Sequence, residues 1–233
     1  MAQKFDAIII GAGIIGCCVG YELAKRGQKT LNIDKLAEAG YGSTSDSCAI
    51  IRLHYSTPEG VAMAREGYYY WIDWAKYLRV YDEAGLVKYV NTGCMVVKTE
   101  KNKYLQNVMA SLNDLQVVYH ELNPAGMEEI FPILDTRMYG PPITPDNERF
   151  GQPTGDAVVG AIYVPESGLI SDPKLSCHNV QRACEARGGK FLFNAEVMEI
   201  RQKNGRAAGG TLKDGKEIDT PVVINVAGPH SYQ

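Results

Sequence analysis

The chain has 233 residues, 45% of them hydrophobic and 22% charged, with a formal net charge of −3. That composition is ordinary for a soluble globular protein long enough to bury a sizeable core. Acidic and basic residues are interspersed, which excludes a basic tract for nucleic acid and an acidic solvating tail.

The first run, Ala7 to Tyr21, is nearly all apolar but carries Gly11, Gly13, Gly16 and Gly20 and follows Asp6. It is too short and glycine-rich for a spanning helix, and no small-residue cleavage site closes it as a signal peptide. No membrane span is expected. Phe5 to Ile10 predicts a strand covered on both faces, and Gly11 to Gly16 a turn. Ile15, Val19 and Leu23 then recur every four residues as the apolar stripe of a helix. Lys25 and Arg26 suit its C-terminus, and Gly27 can close it. Lys29 to Ile33 predicts a second strand ending at Asp34. The whole is a strand–helix–strand unit of about 30 residues, the length of a parallel crossover.

Residues 37–49 are small and polar and read as a loop. Thr57 to Leu78 predicts a helix capped by Thr57, with Pro58 in its first turn and an aromatic packing face of Tyr68, Tyr69, Tyr70, Trp71, Trp74 and Tyr77. Strands are expected within 87–97 and a helix over 101–112. A short helix is expected after Asn123 and Pro124. Residues 135–160, rich in Pro, Gly and Asp, read as loop or edge hairpin. Asp172 caps a helix that runs from Pro173 to Arg187. Strands follow at Phe191–Phe193 and Val197–Arg201, with a hairpin turn at Lys213–Lys216 and a last strand at Val222–Val226. Six cysteines, Cys17, Cys18, Cys48, Cys94, Cys177 and Cys184, show neither CxxC nor zinc spacing. They read as reduced thiols, with cytoplasmic residence as the expectation and no metal.

Gly11-Ala12-Gly13-Ile14-Ile15-Gly16 has the context that gives a glycine motif meaning: a strand before it, a helix after it, and an acid past the second strand. Gly11 allows the tight turn, Gly13 a close approach of backbone to a pyrophosphate, and Gly16 close packing of helix on sheet. The helix N-terminus offers free N–H donors to the phosphates. Asp34 is placed to accept from a ribose hydroxyl and would repel a 2′-phosphate, which disfavours NADP. The motif is shared by FAD and NAD proteins and leaves both open.

The wider sequence resembles the D-amino-acid oxidase superfamily, within it the sarcosine oxidase and glycine oxidase branch. The resemblance is carried by Ile8 to Gly20 with Asp34-Lys35, and by Gly40 to Ser45 followed by Ile50-Ile51-Arg52 and Tyr55. It continues in Pro165 to Ile170 with Asp172-Pro173, and in Val222 to Gly228 with Ser231. It implies an α/β fold: a Rossmann-like FAD-binding domain with a parallel sheet, formed by residues 1–80 and 165–233, plus part of an α+β substrate domain at 81–164. It implies FAD and hydride transfer from the carbon beside an amine nitrogen, the substrate being a small amino acid or secondary amine. Gly42, Ser43 and Thr44 are then expected at the phosphates and ribityl chain, with Lys35 following the ribose-binding Asp34. The backbone at Val197 is expected near the adenine, with Ala227 and Gly228 near the cofactor. Arg52 is implied to bind the substrate carboxylate, for which a guanidinium fork is suited; a surface ion pair is the alternative. His54 is a candidate second polar group, the alternative being a core or solvent-facing histidine.

Two positions depart from the branch. Ala49 stands where related sarcosine oxidases carry a basic residue, which puts in question oxidase rather than dehydrogenase chemistry. Ser45-Asp46-Ser47 offers no flavin-linking histidine. Family members run on well past the final strand found here, so the chain is expected to lack a C-terminal part. A partner chain or homo-oligomer is a candidate for completing the site. The competing readings are a noncatalytic flavin-binding piece and an NAD-dependent dehydrogenase.

Overall fold

A computed structural model describes residues 4–99 and 103–231. The chain divides into two compact units. One comprises Met1–Ile50, Tyr70–Tyr89 and Ile170–Gln233, and the other Ile51–Tyr69 and Val90–Leu169.

The first unit is built on a four-stranded sheet in the order Val223–Asn225, Ala7–Ile10, Thr30–Ile33, Lys190–Leu192. Every pairing in it is parallel. The chain starts at Ala7–Ile10, steps outward through Thr30–Ile33 to Lys190–Leu192, then returns to the other side of the first strand. The strand order therefore reverses between Ala7–Ile10 and Val223–Asn225. Such a reversal opens a crevice at the carboxyl ends of two neighbouring parallel strands, where ligands of α/β sheets bind. A three-stranded antiparallel sheet, Val197–Lys203, Arg206–Leu212 and Glu217–Asp219, supplies the return. Its second hairpin turns at Gly215, whose φ of +84° favours glycine.

Helix Ile14–Lys25 follows the glycine turn, but the face it buries is not the expected one. Gly16, Cys17, Gly20, Tyr21 and Ala24 are buried, whereas Ile15 is 66% exposed. Small residues win this face because the helix lies close on the sheet. A Cβ at Gly16 would overlap the Gly11 carbonyl oxygen, and one at Gly20 would overlap the Asn32 side chain. Tyr21 is fully buried and donates its hydroxyl proton to the Tyr77 carbonyl at 2.6 Å.

Helix Pro173–Glu185 begins as expected, with the Asp172 carboxylate accepting from the Leu175 N–H at 2.9 Å. The helix expected over 57–78 is two, Pro58–Ile72 and Trp74–Leu78, separated at Asp73, which has φ −126° and ψ 48°. Within the aromatic set Trp74 is buried and stacks on Trp71 at 4.4 Å, while Tyr69 and Tyr70 are exposed.

The second unit holds an antiparallel sheet of Cys94–Lys98, Gly160–Val164 and His120–Leu122. Its core joins Leu53, Val61, Leu105, Val108, Leu112, Val117, Ile162 and Val164. Helix Pro124–Ile130 is capped by Asn123, which accepts from the Gly126 N–H at 2.9 Å. The helix expected over 101–112 is observed at Leu105–Asp114; its expected residues 101 and 102 lie outside the described residues. Residues 136–158 form an irregular hairpin around an isolated bridge of Arg137 and Ala157.

The unit boundaries differ from the expected 80 and 165. Residues 51–69 belong to the second unit because Leu53 and Val61 sit in its core. Residues 81–89 belong to the first because Asn179 holds Asp82 and Val87. No described helix is long and apolar enough to cross a membrane.

Candidate functional site

The glycine turn begins where strand Ala7–Ile10 ends. Gly11 has φ +113°, and a Cβ there would lie 2.5 Å from the Val226 carbonyl oxygen. Two backbones thus meet at the reversal of strand order with no room for a side chain. Gly13 caps helix Ile14–Lys25 with no side chain of its own, and the first turn of the helix holds no acid. The first turn of the helix thus sets no carboxylate of its own against an anion at the positive end of the helix dipole.

The loop after the second strand folds back over this turn. Thr44 Oγ1 accepts from the Ile14 N–H at 3.2 Å. A Cβ at Gly13 would lie 3.2 Å from the same oxygen. The Thr44 hydroxyl keeps its proton for another acceptor. The Gly40 N–H donates to the Ala12 carbonyl at 2.9 Å. Gly42 is half-buried and Ser43 exposed in that loop.

Asp34 is half-buried at the end of the second strand and Lys35 is exposed. One Asp34 oxygen accepts from the Ala12 N–H at 2.7 Å and the other from the Leu36 N–H at 2.9 Å. Beside it, the Ala195 N–H donates to the Asp34 carbonyl at 3.0 Å, ahead of the half-buried Val197. Ala227 and Gly228 follow the last strand, with Gly228 at φ +63° opening a 3₁₀ turn, Gly228–His230. The structure brings Gly11, Gly13, Ile14, Thr44 and Asp34 into one bonded loop system. The residues present fit a dinucleotide: a cradle a Cβ would fill, a helix N-terminus free of acid, and a carboxylate alongside.

Two members of this system have no counterpart among the expected site residues. One is Val226, through its carbonyl. The other is Asn32, which is 1% exposed and donates to the Gly16 carbonyl at 2.8 Å. Its signal in the sequence is a lone amide in the apolar run Leu31-Asn32-Ile33.

Arg52 and His54 lie in the second unit. Arg52 is exposed, forms no salt bridge among the described residues, and has its guanidinium 4.9 Å from the Tyr55 ring centroid. The alternative of a local ion pair is not what is observed. Burial pushes the His54 imidazole down to about 4, and the positive charge of Arg52 adds to the effect. Its Nδ1 is buried and without a hydrogen-bond partner among the described residues. Burial pushes the nearby Cys94 thiol up, with Arg52 acting in the opposite sense.

Among the described residues, Asp82, Glu83 and His178 are the group whose ligand atoms lie close enough for a metal. The Asp82 carboxylate already accepts from Ala84 N–H at 2.9 Å and Asn179 Nδ2 at 2.6 Å, and meets His178 Nδ1 at 2.9 Å. It reads as a clamp holding residues 82–87 to helix Pro173–Glu185.

Comparison with known proteins adds the following. The family described as FAD dependent oxidoreductase (DAO) matches residues 6–233. Human peroxisomal sarcosine oxidase is 31% identical over 134 residues, 56% of this chain and 33% of that protein. The mouse mitochondrial pyruvate dehydrogenase phosphatase regulatory subunit is 22% identical over 238 residues, 100% of this chain and 24% of that protein. The crystal structure of L-proline dehydrogenase from P. horikoshii superposes with a TM-score of 0.80 at 22% identity, covering 100% of this chain and 55% of that one. The chain thus spans between about a quarter and about half the length of these proteins.

Proposed function

The chain belongs to the family of FAD dependent oxidoreductases, and from that premise we propose that it forms the FAD-binding part of an enzyme oxidising the C–N bond of a small amino acid or secondary amine. The substrate class is of the sarcosine, glycine or proline kind. The observation that carries this reading is the contact of the Gly11 backbone with the Val226 carbonyl, at the point where the strand order reverses. In this reading Gly11, Gly13, Ile14, Ile15 and Gly16 present backbone to the pyrophosphate. Gly42, Ser43 and Thr44 line the same phosphates, and Asp34 accepts from the ribose with Lys35 beside it. Val197 flanks the adenine, and Ala227 and Gly228 border the cofactor at the last strand.

Bound there, FAD supplies a two-electron acceptor for a hydride from the carbon beside the substrate nitrogen. Arg52 grips the substrate carboxylate with two parallel N–H donors and so fixes which end of the amino acid is held. Tyr55 backs the guanidinium through its ring face. His54, held uncharged at neutral pH by burial, adds no second positive charge beside Arg52.

A second reading, a noncatalytic FAD-binding chain that needs another chain for activity, is favoured by the similarity to a regulatory subunit. A visible absorbance spectrum of the purified chain, before and after acid precipitation, combined with an amino-acid oxidation assay, separates the two. Flavin bands with turnover support the first reading, and flavin bands without turnover the second. A colourless chain that also fails to take up added FAD would defeat both.

A further inference from the structure

Strand Thr30–Ile33 is buried along its whole length. A parallel strand covered on both faces is ordinarily a run of apolar side chains. Asn32 breaks that run at 1% exposure. Burying an amide without partners is costly, so the bonds it makes explain its presence.

The Asn32 Nδ2 donates to the Gly16 carbonyl at 2.8 Å and, more weakly, to the Gly11 carbonyl at 3.4 Å. Its Oδ1 is buried and has no hydrogen-bond partner among the described residues, against the space that a Cβ on Gly20 would fill. Turned over, the amide would set its oxygen against two carbonyl oxygens, so the orientation follows from chemistry. Gly11 and Gly16 are the first and last glycines of the dinucleotide turn. One side chain bridges both.

Asn32 and Asp34 are two residues apart, and alternate residues of an extended strand share a face. The carbonyl of the Gly11–Ala12 peptide faces Asn32 and its N–H donates to Asp34 at 2.7 Å. A single peptide unit of the turn is therefore held at both ends from one strand. When Asp34 gives part of its hydrogen-bonding capacity to a ribose, the Asn32 end remains.

We propose that Asn32 is a positioning residue for the dinucleotide turn, fixing the Gly11 and Gly16 carbonyls so that the turn is formed before the cofactor arrives. The proposal rests on the FAD-binding reading for its purpose but not for its geometry. Pre-forming the turn removes an ordering cost from binding.

The test is Asn32→Val, which fills the site with a strand-favouring apolar side chain and deletes the donor. Two quantities are compared with the wild-type chain: amide hydrogen exchange without flavin, and affinity for added FAD. Exchange over residues 11–17 is expected to rise about tenfold, and the FAD Kd about tenfold, the size of one lost hydrogen bond of about 1.4 kcal/mol. Exchange in helix Pro173–Glu185 should stay unchanged, which a general loss of stability would not allow. Should Asn32→Val fail to fold, Asn32→Asp keeps the shape, replaces the donor by an acceptor, and is expected to raise the same exchange. Unchanged exchange over 11–17 in the folded variant overturns the proposal, as does a rise spread evenly over both segments. If the wild-type chain itself takes up no FAD, the cofactor reading fails while the exchange comparison still decides the role of Asn32.

Discussion

The Asp34 carboxylate lies 2.7 Å from the Ala12 N–H, tying the end of the second strand to the second residue of the glycine turn. Its other oxygen accepts from Leu36 N–H. A carboxylate has lone pairs beyond these two bonds, so a ribose hydroxyl adds to them without displacing either. Asp34→Ala removes the charge-assisted bond to the turn as well as the proposed ribose acceptor. FAD affinity is expected to fall about 10- to 100-fold, corresponding to about 1.5–3 kcal/mol. Equilibrium flavin titration measures this. Full flavin occupancy of the variant after purification would contradict the role.

Gly11 and Gly27 form a controlled pair. Both have positive φ, +113° and +78°, but a Cβ at Gly11 meets the Val226 carbonyl at 2.5 Å while no atom of the described residues lies within 4 Å of one at Gly27. Gly27→Ala carries only the backbone cost of about 1 kcal/mol and should leave flavin uptake intact. Gly11→Ala adds an overlap that only a shift of the last strand relieves. A loss of at least about 2 kcal/mol in chemical denaturation is expected, together with lost flavin uptake. Equal behaviour of the two variants would remove the close backbone approach from the account.

Much of the first unit is legible in the sequence because its signals are local. The cap at Asp172, the glycine turn and the turn at Gly215 each act within a few residues of chain, as does the cap at Asn123 in the second unit. The stripe Ile15–Val19–Leu23 misleads for a physical reason. Hydrophobicity marks a buried face only where packing distance is ordinary, and here the closest approach of helix and sheet selects Gly16 and Gly20. Strands Gly160–Val164 and His120–Leu122 go unread because their pairing is long-range and no turn chemistry announces it. Arg52 and His54 are found by resemblance alone. The burial that sets the charge state of His54 comes from the fold, so the sequence holds no sign of it.

The clamp at Asp82 predicts an acid-sensitive contact. Burial alone would raise the Asp82 carboxyl, but hydrogen bonds from Asn179, the Ala84 N–H and His178 outweigh it and hold the group below its ordinary 3.8. The folded chain therefore binds this proton less readily than the unfolded one. The clamp's contribution is complete above the ordinary carboxylate value and is lost as the pH falls from there through the depressed one. Asp82→Ala removes one of the two acceptors of Asn179 Nδ2, the other being the Gly85 carbonyl, and leaves the Ala84 N–H without its acceptor, and is expected to cost about 2–4 kcal/mol at neutral pH. The gap between variant and wild type should narrow in acid. Urea denaturation at a series of pH values gives the curve, and a gap independent of pH would show that the carboxylate charge is not involved.

Arg52 is exposed, forms no salt bridge among the described residues and rests on the Tyr55 ring. A guanidinium that makes no salt bridge within the described residues remains available for an external carboxylate. Arg52→Lys keeps the charge but loses the bidentate fork and the planar stacking. KM for amino-acid substrates is expected to rise about 10- to 100-fold, about 1.4–2.8 kcal/mol, with flavin content unchanged. An amine substrate lacking a carboxylate should show no such penalty. An unchanged KM for amino acids would assign Arg52 a surface role.

His54 next to Arg52 should be the uncharged member of the pair at neutral pH. Burial is the larger cause and the Arg52 charge the smaller, and together they bring the imidazole from 6.5 down to about 4. The unfolded chain takes up this proton near its ordinary value, whereas the folded chain resists it until about 4. The stability associated with a neutral His54 is then complete above about 6.5, declines as the pH drops toward about 4, and falls no further below that. His54→Gln keeps a hydrogen-bonding side chain without a titrating group, and should flatten this part of the stability curve. The direct measurement is an NMR titration of the histidine ring, assigned by the loss of its signal in His54→Gln. A midpoint near 4 establishes a ring that meets its ligand uncharged. A midpoint at or above 6.5 would mean that water reaches the ring and that burial does not hold it neutral.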